Sequence, residues 1–212
     1  IKEVHAASVE SWCQIEFWDE KSKVYISTNP ICYTNTLLID GKPVTDIVIP
    51  DGVVYIGFHA FDGCTSLKNV KVPGSVKIID ESAFMNCIEL EAVTIGSGVE
   101  SIEDYAFYKC ESLKTVNFGK DLKEIGYESF YGCKNLESIV IPDSVETIDY
   151  FAFRNCTKLA SVTLPDSVEI IRSDVFENTA YYNDASNWVD GALYINNHLI
   201  IPDFYVFHKS IL

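Results

Sequence analysis

Hydrophobic residues recur along this chain at a constant interval of 23 positions, and this periodicity dominates the sequence. Cysteine, leucine, valine and isoleucine positions keep the interval through five successive units without an insertion or deletion. Self-similarity at a period of roughly 20–50 residues is typical of a solenoid, in which each unit stacks on its neighbours. Six phenylalanines mark the same place in consecutive units: Phe61, Phe84, Phe107, Phe130, Phe153 and Phe176.

One unit reads A-F-x-x-C-x-x-L-x-x-V-x-V-P-x-S-V-x-x-I and contains two local patterns. The alternation in L-x-x-V-x-V predicts a short β-strand, which the following proline or glycine ends by turning the chain. The spacings of three and four in V-x-x-I-x-x-x-A-F predict a turn of 3₁₀-helix or a short α-helix. The predicted strands are residues 47–49, 70–72, 93–95, 116–118, 139–141 and 162–164.

A single unit buries too few apolar side chains to offset the entropy of ordering its backbone, so only a stacked array is stable. We therefore expect a parallel sheet on the concave face and short 3₁₀ or helical turns on the convex face. Charges support this stacking, because unlike charges on neighbouring strands attract. Two repeat positions alternate in sign from unit to unit: Lys68, Glu91, Lys114 and Glu137 at one, Lys77, Glu100, Lys123 and Glu146 at the other.

Both ends of the chain depart from the regular unit. Residues 1–43 and 177–212 are predicted to be caps built on an extended variant of the repeat, with regular units over 44–176. Each cap contains a predicted hairpin, at 37–44 with an Asp-Gly turn and at 193–200 with an Asn-Asn turn. Three tryptophans are expected to cover core that the ends would otherwise expose: Trp12, Trp18 and Trp188.

Seven cysteines raise the question of disulfides or metal. Five lie in register and point to one recurring place in the core, where small buried thiols are the simplest interpretation. Disulfides between adjacent units and a metal site are the alternatives, although parallel Cβ atoms ~4.8 Å apart exceed the ~3.8 Å that disulfides prefer. Cys13 and Cys32 lie outside this ladder, and whether they pair stays open. The five in register are Cys64, Cys87, Cys110, Cys133 and Cys156.

Charge and motif content exclude several classes of function. The 16 basic and 31 acidic residues give a formal charge of −15, which disfavours nucleic acids and anionic membranes. No apolar run reaches the roughly 18 residues that a membrane span needs. The four histidines share no repeat position, and no catalytic or phosphate-binding motif occurs. We predict no enzyme activity, no cofactor and no metal.

Residues that flank the central strand valine should point outward and form the candidate binding surface. This surface is small, mostly neutral and rich in hydroxyls, and it shows no aromatic anchor. A second candidate patch lies in the turns, where aromatic residues such as Tyr105 and Tyr127 stand near Glu81 and Asp104. The predicted ligand-binding residues are Asn69, Lys71, Thr94, Thr115, Asn117, Ser138, Ser161 and Thr163.

The unit closely resembles the BspA-like leucine-rich repeat of bacterial surface proteins. The resemblance rests on A-F-x-G-C at 60–64, I-P-D-S-V at 141–145 and the V-x-x-I that follows, and it covers at least residues 44–176. It implies a curved leucine-rich-repeat solenoid, export to the surface or medium of an anaerobic bacterium, and a role in adhesion or recognition. The chain begins Ile-Lys-Glu, which indicates a removed leader or a piece of a longer product.

Two functions follow from these observations. The first is an interaction or adhesion module that recognises a protein or glycan of a host, a matrix or another cell. The alternative is a structural spacer or display stalk within a larger surface protein.

Overall fold

The computed structural model describes residues 2–13, 15 and 29–200, and its main body is a parallel β-solenoid. Each unit contributes one strand to each of two columns. Paired strands are in register, with each residue opposite the residue 23 positions away, as Val70 is opposite Val93. Pairing is continuous in the second column and is broken once in the first. The strands of the first column, called the strand face here, are Asp46–Val48, Asn69–Val72, Ala92–Ile95, Thr115–Asn117, Ser138–Val140 and Ser161–Thr163. The strands of the second column are Tyr55–Ile56, Ile78–Ile79, Ser101–Ile102, Glu124–Ile125, Thr147–Ile148 and Ile170–Ile171.

The six strands predicted from the alternation are confirmed, and each begins one residue earlier than expected. The central residue of each strand points into the core and its neighbours point outward, as the burial of Ile139 between exposed Ser138 and Val140 illustrates. The period-two pattern therefore correctly predicted where the strands of this column lie and which of their residues face inward.

The prediction of helical turns was wrong. The V-x-x-I segment forms the second column of strands, and a series of turns follows it, closed by hydrogen bonds such as Ala83 N–H to Asp80 O and Met85 N–H to Ser82 O. No helix occurs in residues 44–176. The physical reason is that each unit places two residues in the left-handed region, for example Ser82 at φ 59° and Asn86 at φ 57°. A left-handed residue every few positions prevents the consecutive right-handed dihedrals that a helix needs.

Stacked phenylalanine rings form the centre of the core. Phe107 is fully buried, and its ring lies 5.2 Å from that of Phe84 and 5.1 Å from that of Phe130, with nearly parallel planes. The same stacking continues through all six phenylalanines, from Phe61 to Phe176. The rings therefore form one continuous column through the six repeats.

The ladder cysteines are buried thiols, which confirms their inward orientation. Cys110 Sγ donates a hydrogen bond to the carbonyl oxygen of Phe84 at 3.2 Å, and three other ladder cysteines bond the same way. All seven cysteines are free, so neither adjacent-unit disulfides nor a Cys13–Cys32 bond is formed. Burial raises the pKa of the Cys64, Cys87, Cys110 and Cys133 thiols, and it raises the pKa of Cys13 to about 12.

Both predicted hairpins form. Leu37–Ile39 pairs antiparallel with Lys42–Pro43, and the Asp-Gly turn between them has positive φ at both residues, as a primed turn requires. Ala192–Ile195 pairs antiparallel with His198–Ile200. A third hairpin, between Trp188–Val189 and Ala192–Ile195, was not predicted.

The remaining elements close the two ends. Strand Val4–Ala6 pairs parallel with Leu37–Ile39, and helices Val9–Cys13 and Ile31–Thr34 lie beside the first units. Trp12 is buried and donates its indole N–H to the Ala60 carbonyl, whereas Trp18 lies outside the described residues. At the other end are helix Ala180–Asn183 and 3₁₀-helix Ala185–Asn187. No helix in the described ranges is long and apolar enough to cross a membrane.

The alternating charges form ion pairs between neighbouring units. Lys77 Nζ lies 2.8 Å from Glu100 Oε1, and Lys114 Nζ lies 2.6 Å from Glu91 Oε2. These side chains are about half exposed, so each pair contributes roughly 0.2–1 kcal/mol at most. Charge pairing therefore assists the register without dominating stability.

We expect Phe107→Ala to lower the free energy of unfolding by about 3–5 kcal/mol, because it removes a fully buried ring from the middle of the stack. Lys114→Glu should cost no more than roughly 1 kcal/mol, because it breaks one exposed ion pair. Denaturant titration of both variants at the same salt concentration measures the difference. Equal losses would contradict the assignment of which residues face inward.

We also expect the native protein to react slowly with a thiol reagent. The five ladder thiols are fully buried, so the reagent cannot reach them in the folded protein, and only the thiolate form of a cysteine reacts. Adding denaturant should release all five. Rapid titration of five or more thiols in the folded protein would show that the cysteine column is accessible.

Candidate functional site

All eight predicted binding residues lie on the strand face and are exposed. Asn69, Lys71 and Thr94 stand on a continuous four-stranded parallel sheet. Ser161 and Thr163 stand on a separate two-stranded sheet that begins with strand Ser138–Val140. The strand face is therefore divided, and the division runs between Thr115–Asn117 and Ser138–Val140.

Backbone hydrogen bonds show where the face is interrupted. At one repeat position the N–H donates to the carbonyl 23 residues earlier, and this bond is made by Lys68, Glu91, Lys114 and Ala160. Among the residues that the structure describes, Glu137 N–H makes no such bond to Lys114 O, and strands Thr115–Asn117 and Ser138–Val140 do not pair. The strand face therefore opens between these two strands.

The opening is local, because the second column continues past it. Glu124 and Ile125 pair in register with Thr147 and Ile148, the strands on either side of the same step. Farther along the unit, Lys134 Nζ lies 2.7 Å from Glu111 Oε1 and bridges the same two units. The two units thus remain stacked through their core while their strands on one face separate.

Phe118 explains the opening. It stands where the other units carry Val72, Ile95, Ile141 and Leu164, which are buried. The Phe118 ring is only partly buried and packs edge-on against Phe130, with centroids 5.7 Å apart. Because a close-packed core accommodates added volume by shifting the backbone, the larger ring displaces the next strand.

The opening forms a cleft of about 350 Å³. Its walls combine hydroxyl and amide groups with apolar surface, including Val140, which is 66% exposed. Backbone groups that pair between other strands are free to bond a ligand here. The cleft is lined by Thr115, Val116, Asn117, Phe118, Ser138, Val140 and Pro142.

Three of the predicted binding residues, Thr115, Asn117 and Ser138, line the cleft. The other five lie outside it on paired strands. The outward-facing residues of this face include no aromatic, but the partly buried ring of Phe118 lines the cleft. Phe118 occupies the second V position of L-x-x-V-x-V, which alternation directs inward, so it was not among the predicted binding residues. The sequence did contain an indication of the cleft: Phe118 is aromatic, whereas the residues at the same repeat position of the other regular units are aliphatic.

The described residues offer little for metal chemistry. Within residues 2–13, 15 and 29–200, no group of three or more His, Cys, Asp or Glu side chains could hold a metal ion. The cleft itself contains hydroxyls, an amide and apolar groups, which suit reversible binding through hydrogen bonds and contact area.

Comparison with known proteins places these features in context. Residues 39–134 and 77–186 match the BspA type leucine-rich repeat region in six copies, and no catalytic family is indicated. No curated protein sequence matches the chain. Among solved structures, a leucine-rich repeat protein of T. pallidum is 38% identical, with a TM-score of 0.61 over 64% of this chain and 65% of that chain.

Two further structures are similar. A leucine-rich repeat protein from Bacteroides ovatus is 34% identical, with a TM-score of 0.61 over 68% of this chain and 39% of that one. A leucine-rich cell surface protein from Faecalibacterium prausnitzii is 25% identical, with a TM-score of 0.53 over 71% of this chain and 50% of that one. The match therefore spans less than two thirds of each of the three relatives.

We expect Phe118→Ile to close the cleft by restoring the aliphatic residue that other units carry. Backbone bonds between Thr115–Asn117 and Ser138–Val140 should then form and raise the free energy of unfolding by about 1 kcal/mol. Amide hydrogen exchange at Ser138 and Val140 should slow. The reciprocal change Ile95→Phe should speed exchange in strand Thr115–Asn117, and unchanged exchange in both variants would show that ring size does not control the opening.

Proposed function

The chain belongs to the BspA-type leucine-rich-repeat family, and we propose that it is a surface-exposed interaction module whose strand face binds an extended partner at the cleft beside Phe118. The observation that carries this proposal is the interruption of the strand ladder, because it creates a cleft on a face of otherwise paired strands. Binding sites are preferentially concave and combine apolar lining with a few placed polar groups.

The chemistry of the cleft favours a partner that makes many neutral hydrogen bonds. Thr115, Asn117 and Ser138 supply hydroxyl and amide groups, and the open strand edges supply backbone donors and acceptors. Phe118 and Val140 supply apolar surface between them. An extended polypeptide or a glycan of a host, a matrix or another cell fits this set, because both present alternating apolar and hydrogen-bonding groups.

Family membership supports a place outside the cytoplasm. The F. prausnitzii relative is described as a cell surface protein, and we infer that this chain is displayed on, or secreted from, a bacterium of anaerobic habit. The formal charge of −15 is consistent with this function, since it disfavours nucleic acids and anionic membranes and leaves neutral or basic partners.

A structural spacer is the second candidate. One observation favours it: the second column of strands and the phenylalanine stack run without interruption through six units, as a spacer requires. The relatives are longer than the matched region, so in a longer protein the binding part could lie elsewhere. An adhesion role then belongs to the whole protein and not to these residues.

The test is a binding screen of the purified chain against a glycan array and a panel of immobilised extracellular-matrix proteins. For any partner found, Asn117→Arg should weaken binding about tenfold or more, because the long side chain fills the cleft. Asn183→Arg makes the same change at an exposed residue of the C-terminal helix and should leave binding unchanged.

If the Asn117→Arg variant binds that partner with the affinity of the wild-type chain, the cleft is not the binding site. Absence of binding to either panel would favour the spacer.

A further inference from the structure

A second cavity, of about 530 Å³, lies among the turns and shares no residue with the cleft. Three of its lining residues occupy the same repeat position in successive units, His59, Ser82 and Tyr105. All three have left-handed backbone conformations, with φ of 54°, 59° and 58°. The other lining residues are Glu81, Met85 and Asp104.

The cavity is strongly negative. Glu81 and Asp104 both line it, and no lysine or arginine does. Burial and the charge of Asp104 raise the pKa of Glu81. The ionised Glu81 carboxylate therefore costs the folded protein free energy at neutral pH, and a cationic ligand would offset that cost.

Two polar groups of the cavity are nearly buried and lack a protein partner. Ser82 is 3% exposed, and its hydroxyl makes no hydrogen bond among the described residues. His59 is 6% exposed; its Nδ1 lies 2.8 Å from Asp62 Oδ2, whereas its Nε2 makes no bond to any residue that the structure describes. Neither atom is among the fully buried atoms without a partner, so both open onto the cavity, where a polar ligand can bond them.

An aromatic wall completes the cavity. The Tyr105 ring packs edge-on against Tyr127 and Tyr108, with centroids 5.3 and 5.7 Å away, and these contacts hold it in place. A fixed aromatic ring beside two carboxylates is the combination that attracts a flat cation, which can contact the ring and bond the carboxylates together.

We propose that this cavity binds an arginine side chain of a partner protein. A guanidinium presents five N–H donors in one plane, enough to reach Glu81, Asp104 and the Ser82 hydroxyl while it contacts Tyr105. Met85 supplies an apolar wall for the methylene groups. An ammonium group offers three donors and no flat face, so it satisfies fewer of these groups. This site is separate from the cleft, and either can fail without the other.

A single methionine provides the measurement. Met85 is the one methionine of the 212-residue sequence, so ¹³C-methyl labelling reports directly on the cavity, and Met85→Leu assigns its resonance. The full chain is titrated with three blocked tripeptides that carry arginine, lysine or citrulline between glycines. We expect a saturable shift of the Met85 methyl resonance with the arginine peptide, a smaller response with lysine and none with citrulline, which has nearly the same shape but no charge.

Glu81→Gln separates binding from structure. It should weaken binding of the arginine peptide about tenfold, because it removes a charge-assisted hydrogen bond. It should also raise the melting temperature of the free protein, because it relieves repulsion with Asp104. Glu137→Gln removes the same charge at an exposed residue that directly precedes strand Ser138–Val140, and it should change neither the affinity nor the melting temperature.

Equal responses to the arginine and citrulline peptides would overturn the proposal, as would an unchanged affinity in Glu81→Gln. A stronger response to the lysine peptide would overturn the choice of arginine.

Discussion

The stack of phenylalanine rings sets the distance between units, and the other contacts of the solenoid depend on that distance. Adjacent rings lie 5.1–5.7 Å apart with nearly parallel planes. At this spacing the thiols of four of the five ladder cysteines reach the phenylalanine carbonyl of the unit before, as Cys110 reaches Phe84. The in-register strand pairs and the ion pairs between units need the same spacing, so the core column organises both the backbone and the surface.

A stack that is fixed in the core still permits variation at the surface. Between strands Thr115–Asn117 and Ser138–Val140 the ladder is open, while the rings of Phe107 and Phe130 keep their 5.1 Å contact underneath. One substitution at the margin of the core, Phe118, can therefore create a cleft without breaking the array. The same tolerance holds on the turn side, where side chains as different as His59 and Tyr105 occupy one repeat position.

The sequence predicted the parts of the fold that depend on inward-facing apolar residues. The strand column followed from alternation around residues such as Val70 and Ile139, because side chains on a strand alternate strictly between faces. The turns were mispredicted, because spacings of three and four fit a helix as well as a chain of turns. Each unit has two left-handed residues. At the position of Gly63 and Asn86, glycine and asparagine indicated a turn, because these residues adopt positive φ most readily. At the position of Tyr105 and Phe151, the residue types gave no such indication. The cleft was beyond prediction, since it depends on how the backbone responds to one large ring.

The alternating charges have a consequence for how such an array can change in length during evolution. Lys77 pairs with Glu100 and Lys123 pairs with Glu146, so from 77 to 146 the charge pattern repeats every second unit, whereas the apolar pattern repeats every unit. The alternation ends there, because the next residue at this position is Glu169. Duplicating one unit would preserve the core but place two lysines or two glutamates on neighbouring strands, which is destabilising. Duplicating two units together preserves both patterns. Within the alternating section, a pair of units is therefore the step of growth that leaves every ion pair intact.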